Sequence, residues 1–457
     1  MTERPGTNRH RVAMFVLNDM RYDSRVRREA DSLARAGYEV TVYAVQTPGA
    51  GLAETEVVGR YLIRRFPMPM RSAYQGPDGP KPRGGLRPNV RRSAVRHLAA
   101  GAFVATRPLF GGVLHYAANW HLRWGAWRRR VLREVAPADI WHAHDLNTLP
   151  LAVRCAERHG GQVVYDSHEI FTEAGATAQL PAPALAYLKF LERRWARGAA
   201  AVVTVNQSVA KVIGSALGDR DVAVVHNCAT IPPRRRSPLR AALSLADDRP
   251  IVLFHGSLSP GRGLHTLVEA FDDERLGDAR LVFMGYGVLR PEIQALAANA
   301  RAAKRIYFIP PVPPADVTRW VAGSDVVAMP LEPLTLNLRL ATPNKLWEAI
   351  AAGVPVVGPD FEQFRRIVHG GPHGRLGVLF SEHSPGAIAS AMHELLVMPR
   401  DERQAIRARC RRAAAGRWNW SAEARTLIGL YANLPAARAE AAAPASAASS
   451  SRPMASG

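Results

Sequence analysis

The chain has 457 residues, 47% of them hydrophobic, enough apolar mass for two or three cores and incompatible with a disordered or fibrous chain. Its formal net charge is +21, from 60 Lys and Arg against 39 Asp and Glu, which favours anionic partners: phosphorylated substrates, an anionic membrane surface or nucleic acid. The cysteines, Cys155, Cys228 and Cys410, are scattered and odd in number, which points to a reducing compartment and away from a disulfide framework or a cysteine zinc site.

The N-terminus, MTERPGTNRH, is polar and shows no signal-peptide pattern. Residues 11–17 (RVAMFVL) read as a buried strand, followed by a polar loop over 18–24. Ser24 or Asp23 is placed to cap the next helix, whose Val26, Ala30, Leu33 and Ala34 share a face and which Gly37 ends. Residues 40–45 (VTVYAV) give the next strand. The unit is βαβ, so the sheet is expected to be parallel with right-handed crossovers. The loop NDMRYDSR, which includes Arg25, then lies outside a strand's carboxyl end, where ligands gather in such sheets. It lacks GxGxxG, so a dinucleotide fingerprint is absent.

From 60 to 133 there are sixteen Lys and Arg and one acid, Asp78. Proline and glycine crowd 66–88, which reads as a loop. Residues 97–133 look helical in pieces, with Phe103, Phe110, Tyr116, Trp120, Trp124 and Trp127 among arginines. That mixture suits an anionic membrane surface, and it equally describes a solvated basic face over a core-facing aromatic stripe. No recognised nucleic-acid motif accompanies the charge, and none of the chain's partners is expected to be nucleic acid. No segment is long and apolar enough for a bilayer: the best run, 97–120, is broken by Arg107 and Pro108.

Residues 140–144 (IWHAH) read as a strand in which His142 and His144 point to one face. No further ligands follow at metal spacing, so a metal site is not expected. Strands at 163–165, 201–205 and 222–225 alternate with helices, and DSHEIF follows the first of them. Residues 228–250 are rich in Pro and Arg and mark a domain boundary. A second alternation begins with IVLF at 251, then HGSLSPGRG, LVFM at 281, GYG at 285–287, IYFI at 306 and DVVAM at 325.

Residues 341–357 (ATPNKLWEAIAAGVPVV) compress a helix start, a helix and a strand. Thr342 can cap a helix that takes Pro343 and Asn344 in its first turn, and Gly353 stops it. A helix start with Lys345 beside it is an anion site suited to phosphate, and Glu348 one turn on can accept from sugar hydroxyls. An ordinary surface helix with a Lys and a Glu gives the same pattern. Residues 418–434 form a last amphipathic helix, and 435–457 read as a disordered Ala/Ser-rich tail.

Three pieces together resemble the retaining glycosyltransferases of family 4, which have the GT-B architecture. They are NDMRYDSRVRREADSLARAGYEVTVYA, the WHAHD and YDSHEIF pair, and FHGSLSPGRGL with MGYG and PNKLWEAIAAGVPVV. The resemblance covers about residues 11–434. It implies an α/β chain of two Rossmann-like domains with parallel sheets facing a cleft. Residues 1–235, with the basic insert, would take the acceptor, and 236–415 the nucleotide-sugar donor. The helix at 416–434 would cross back to the first domain.

Carried over by position, Glu348 resembles the glutamate on the donor ribose. Arg262, assisted by Lys345, falls where the family contacts the diphosphate, and Gly256 opens the loop that approaches it, with Ser257, Gly263 and Asn344 alongside. His144 falls at the second histidine of the family's H-x-H, beside the reacting carbon. Arg25, Asp145, His168 and Glu169 are the acceptor-side candidates. The chain departs from the family at Leu340, where its E-x(7)-E has a glutamate, and at Ser257, where an arginine is usual. No D-x-D stands at a strand end to recruit a divalent metal, so no cofactor is expected: the donor is a substrate, and Arg262, Lys345 and the helix start supply the positive charge.

The activity implied is sugar transfer to a glycan or lipid-linked acceptor, in a cytoplasmic protein at the inner face of a membrane. Two other readings stay open. One is a sugar-nucleotide epimerase with the same donor pocket. The other is a basic surface-binding protein whose nucleotide site has decayed.

Overall fold

The computed structural model describes residues 10–68, 111–175, 177–232, 236–245 and 248–434. The expectations for 69–110, which include most of the proline-rich loop and part of the helical pieces, and for the tail at 435–457 lie outside the described residues.

The chain builds two sheets, each a doubly wound α/β layer. The first holds β1 (Arg11–Phe15), β2 (Glu39–Gln46), β3 (Thr55–Val58), β4 (Tyr61–Pro67), β5 (Ile140–His144), β6 (Gln162–Ser167), β7 (Ala201–Thr204) and β8 (Ala223–Val224). Their order is β3-β4-β2-β1-β5-β6-β7-β8, parallel throughout except the edge pair β3–β4. That hairpin was not expected, because the arginines of β4 read as part of the basic stretch. Arg65 is nonetheless buried, donating to the carbonyls of Asp19 (3.0 Å) and Ala53 (2.8 Å).

The second sheet holds β9 (Ile251–Ser257), β10 (Arg280–Tyr286), β11 (Ile306–Ile309), β12 (Val326–Ala328), β13 (Val356–Pro359) and β14 (Gly377–Phe380), in the order β11-β10-β9-β12-β13-β14 and all parallel. Strands covered by helices on both faces must be apolar along their length. Ile251, Val252, Leu253 and Phe254 accordingly have no exposed surface. In each sheet the strand order reverses at the first strand, β1 or β9, and the crevice beyond such a switch point is where a ligand fits.

Local chemistry sets the elements beside that crevice. Asp23 caps the helix Ser24–Arg35, accepting from the Val26 N–H at 3.0 Å. The helix Asn344–Ala352 ends at Gly353, whose φ of 71° is the left-handed conformation glycine adopts without strain. Its start differs from expectation. Pro343, with φ −65° and ψ 148°, occupies the cap position, and no side chain caps the helix. Thr342 is buried instead and accepts from Asn206 Nδ2 at 3.2 Å.

The last helix, Trp420–Ala432, lies against Ser24–Arg35: Trp420 Nε1 donates to Ser32 Oγ at 2.8 Å, and the Tyr431 hydroxyl lies 2.6 Å from His142 Nδ1. Asn419 caps it by accepting from the Ala422 N–H.

The aromatic stretch resolves into core. Trp120 and Trp127 are buried, and Tyr116 and Trp124 pack on the same cluster under the first sheet. Arg128 is buried as well, donating to the carbonyls of Asn147 (2.9 Å) and Trp120 (2.8 Å). The rings at 116, 120, 124 and 127 fall on one helical face, so in the described part of the insert the membrane stripe is replaced by a packed one. Among the described residues no helix is long and apolar enough to cross a membrane, and the three cysteines are buried free thiols.

Candidate functional site

The two sheets point their carboxyl ends at one interdomain cleft of about 670 Å³. Its second-domain wall is cationic. The uncapped start of Asn344–Ala352 opens there, with free positive dipole and no side chain competing for an anion. Lys345 follows. Its side chain is only 7% exposed, and its ammonium stands 3.6 Å from the Phe254 ring centroid with no hydrogen-bond partner. Burial pushes its pKa well below the usual lysine range, and Arg262 adds to that. Burial also lowers the pKa of Arg262, against the pull of Glu169 across the cleft.

Glu348 sits one turn into the helix, with its Oε2 2.7 Å from His255 Nε2. Burial alone would raise its pKa. The hydrogen bond and charge of His255, with Arg28 and Lys345, outweigh this and hold it below the usual carboxylate value. Gly256, at the tip of β9, has φ 99°, which lets the backbone approach a ligand where a side chain would be strained.

The first-domain wall is built on Asp166, at the end of β6. Arg25 grips it through Nε (2.8 Å) and Nη2 (2.9 Å), donates Nη1 to the Val225 carbonyl (2.7 Å), and lies 2.9 Å from Glu29. Burial opposes the charge on Arg25, but Asp166 and Glu29 hold its pKa above the usual value. Glu29 is pushed up to about 8 by burial, against the pull of Arg25.

His168 Nε2 lies 3.1 Å from Asp166 Oδ2, and its backbone N–H donates to Asp145 Oδ1 at 3.0 Å. Burial would lower its pKa, yet Asp145 and Asp166 raise it to about 10, so it is an imidazolium at neutral pH. Glu169 beside it is pushed up to about 7 by burial and the charge of Asp145, moderated by the Asn337 hydrogen bond.

Of the residues singled out from sequence, Arg25, His168, Glu169, Gly256, Ser257, Arg262, Asn344, Lys345 and Glu348 line the cleft. His144, Asp145 and Gly263 do not. His144 is 1% exposed and lies beneath the wall, with Nδ1 3.1 Å from His168 Nε2 and its ring stacked 4.3 Å from that of His142. Burial lowers its pKa. Of the first domain's described histidines, His168 is the one that reaches the cleft. Gly263 is packed so closely that a Cβ there would come within 1.8 Å of the Pro330 carbonyl.

The side chains not anticipated are Asp166, Glu29, His255 and Asn227, and interdomain contacts run through asparagines. Asn337 donates to Glu169 (3.2 Å) and accepts from the Ile170 N–H (3.1 Å), while Asn227 donates to Asn344 Oδ1 (2.6 Å). Leu340, at the family's glutamate position, turns from the cleft, packs against the first domain's core and leaves its carbonyl to Asn206 (2.9 Å). Glu29 is a readable miss: it lies four residues after Arg25 on one helix face.

Among the described residues one group has metal-ligand chemistry: Glu29, His142, His144 and Asp166, all buried, with donor atoms within 4.8 Å of one another. The cation there is already supplied. The Arg25 guanidinium sits 2.8–2.9 Å from both carboxylates, and a divalent ion beside it would face repulsion without screening by water.

Comparison with known proteins follows the same two-part division. Residues 24–230 match the family described as Glycosyltransferase Family 4, and residues 249–397 match Glycosyl transferases group 1. A D-inositol 3-phosphate glycosyltransferase of Xylanimonas cellulosilytica is 33% identical over 201 residues, which is 43% of this chain and 45% of that protein, so the match spans less than half the length of that relative. A protein of the same name from a Nocardioides species is 27% identical over 368 residues, covering 74% of this chain and 75% of the relative. Among solved structures, sucrose-phosphate synthase from Thermosynechococcus elongatus superposes with a TM-score of 0.64 at 17% identity, covering 93% of this chain and 99% of that one. HepE of Anabaena, in complex with UDP-glucose, gives a TM-score of 0.64 at 15% identity, covering 93% and 100%.

Proposed function

The chain belongs to the family 4 glycosyltransferases of GT-B architecture, and from that premise we propose that it moves a sugar from a nucleoside diphosphate-sugar to a glycan or lipid-linked acceptor, with retention at the anomeric carbon. The observation that carries the reading is Lys345: a buried ammonium without a hydrogen-bond partner, beside an uncapped helix start and Arg262. An unpaired buried cation is costly unless an anion completes it. A diphosphate, with two or more negative charges, fits that deficit.

In this reading the donor diphosphate lies on Lys345, Arg262 and the N–H groups of the Asn344 helix, and Glu348 takes ribose hydroxyls. As the glycosidic C–O bond breaks, negative charge grows on the leaving phosphate oxygen, and these fixed positive groups lower the barrier without reorganising. Positive charge grows on the sugar, facing Glu169 on the first-domain wall, with Asp166 buried behind His168. The acceptor hydroxyl attacks from the face the diphosphate leaves, and the leaving phosphate takes its proton. Glu169, as a carboxylate, accepts a hydrogen bond from that hydroxyl and orients it. His168, a fixed imidazolium, hydrogen-bonds sugar hydroxyls rather than serving as a base. The neighbour bound to UDP-glucose supports a nucleoside diphosphate-sugar donor, and the relatives named for D-inositol 3-phosphate support an acceptor that carries phosphate.

The test is donor turnover followed by NMR, with Glu348→Ala as control. Release of nucleoside diphosphate with an α-linked product from an α-linked donor, lost in the variant, is expected. Isomerised nucleotide sugar without transfer would favour an epimerase. Absence of nucleotide binding in wild type would favour a decayed site.

A further inference from the structure

One face of the first domain exposes large apolar side chains on the tryptophan-rich stretch and on the helix beside it. The helix Ala182–Ala196 turns Leu188, Glu192 and Ala196 inward, where Glu192 accepts from the Tyr165 hydroxyl at 2.6 Å. Its outer face recurs at 187, 190, 194 and 197, one helical stripe. On it Tyr187 is 55% exposed and Phe190 59%, among exposed Lys189, Arg193, Arg194 and Arg197. The only acid of the helix is the inward Glu192. Alongside, Leu122 is 58% exposed on the segment Asn119–Trp124, which docks on this helix through Trp120 stacked on Trp195, ring centroids 6.1 Å apart at 10°.

Exposed aromatic and aliphatic tips framed by cations mark an interaction site. Burying the tips gains hydrophobic free energy only in an apolar partner, and the cations need anions in the same plane. An anionic lipid bilayer offers both: acyl chains for Tyr187, Phe190 and Leu122, and headgroup phosphates one shell out for the Lys and Arg heads, whose long stems can snorkel. We propose that this face seats the protein on the surface of an anionic bilayer.

The position relative to the cleft gives the contact a purpose. Trp120, which anchors the patch, also packs edge-on against Phe171, ring centroids 6.4 Å apart, two residues beyond cleft-lining Glu169. The patch and the acceptor side of the cleft thus belong to one packed part of the first domain. Resting on the transferase reading above, this identifies the acceptor class as lipid-borne, passed into the cleft from the membrane rather than from solution.

The experiment is co-sedimentation of the full chain with vesicles of phosphatidylglycerol in phosphatidylcholine, against phosphatidylcholine alone, at low and high salt. One variant, Tyr187→Ser with Phe190→Ser, keeps the charge. A second, Lys189→Gln with Arg193→Gln and Arg194→Gln, keeps the rings. Nucleoside diphosphate titration of each variant checks the fold and the donor site independently, since none of these residues lines the cleft. Wild type is expected to bind anionic vesicles, to bind neutral ones poorly, and to lose at least tenfold in affinity in each variant. Absence of binding by wild type would overturn the proposal. So would full binding by the serine variant, which would mean adsorption through the basic stretch at 60–133. A change of oligomeric state in the serine variant with vesicle binding intact would assign the face to a second copy of the chain and overturn it equally.

Discussion

Replacing Lys345 by Met should change stability and ligand binding in opposite directions. In the empty cleft the Lys345 ammonium is buried with no hydrogen-bond partner, and its compensation is the face of Phe254 at 3.6 Å. Leaving a buried polar group unsatisfied costs about 1–3 kcal/mol, and more for a charge. A cation–π contact returns about 0.5–2 kcal/mol. Methionine keeps most of the stem's packing volume and removes the charge, so the variant should unfold at slightly higher urea, a gain of about 1 kcal/mol as the difference of those two terms. With a diphosphate bound the balance reverses. A charge-assisted hydrogen bond contributes about 1.5–3 kcal/mol, so affinity for a nucleoside diphosphate should fall about 10- to 150-fold. Urea unfolding and calorimetric titration read the two effects separately. A variant that is less stable and binds as well as wild type would refute the reasoning, because Lys345 would then be a structural lysine.

Arg262→Ala should weaken diphosphate binding by about 1.5–3 kcal/mol while leaving the unfolding midpoint nearly unchanged; unaltered titration would remove it from the donor site. For Glu169, whose pKa is raised from 4.5 to about 7, the turnover limb that rises through about pH 7 in wild type should vanish in Glu169→Gln. The sign for stability runs the other way. A raised pKa means the folded state holds the proton more tightly, so this contribution is complete below pH 4.5 and lost as pH rises through 7, and Glu169→Gln should show a smaller drop in melting temperature between pH 5 and 8. Arg25→Met should cost about 3–5 kcal/mol on urea unfolding, since it strands Asp166 and Glu29 as buried carboxyl groups; a loss below about 1 kcal/mol would show that Arg25 is not their compensating charge.

Periodicity and turn chemistry made much of the fold readable. Two runs of alternating strand and helix, split by the proline- and arginine-rich segment at 228–250, become the two sheets. The β3–β4 hairpin escaped because Arg64 and Arg65 interrupt an apolar pattern, and only the packed structure shows where Arg65 finds its acceptors. Lys345 and Glu348 were legible because a helix start is an electrostatic device that sequence spacing exposes, whereas Arg262 came only from the family resemblance.

The histidines mark the limit of that spacing. Strand parity correctly puts His142 and His144 on one face, and their rings stack, but parity does not say which face is covered. His168 reaches the cleft because it follows the end of β6, where the chain leaves the sheet. Contacts such as Arg25 with Asp166, 141 residues apart, or Asn337 with Glu169, have no local signal at all. Trp120 and Trp127 were ambiguous for a related reason: an aromatic stripe looks the same in sequence whether sheet or solvent covers it.

The measurement that bears most directly on the central claim is calorimetric titration of the full chain with a panel of nucleoside diphosphates and their sugars, in chelator and then with magnesium. Selective binding of one nucleotide in chelator, little changed by the metal and weakened at least tenfold in Lys345→Met, is expected. Failure of every nucleotide to bind, or binding that appears only with magnesium and is indifferent to Lys345, would contradict it.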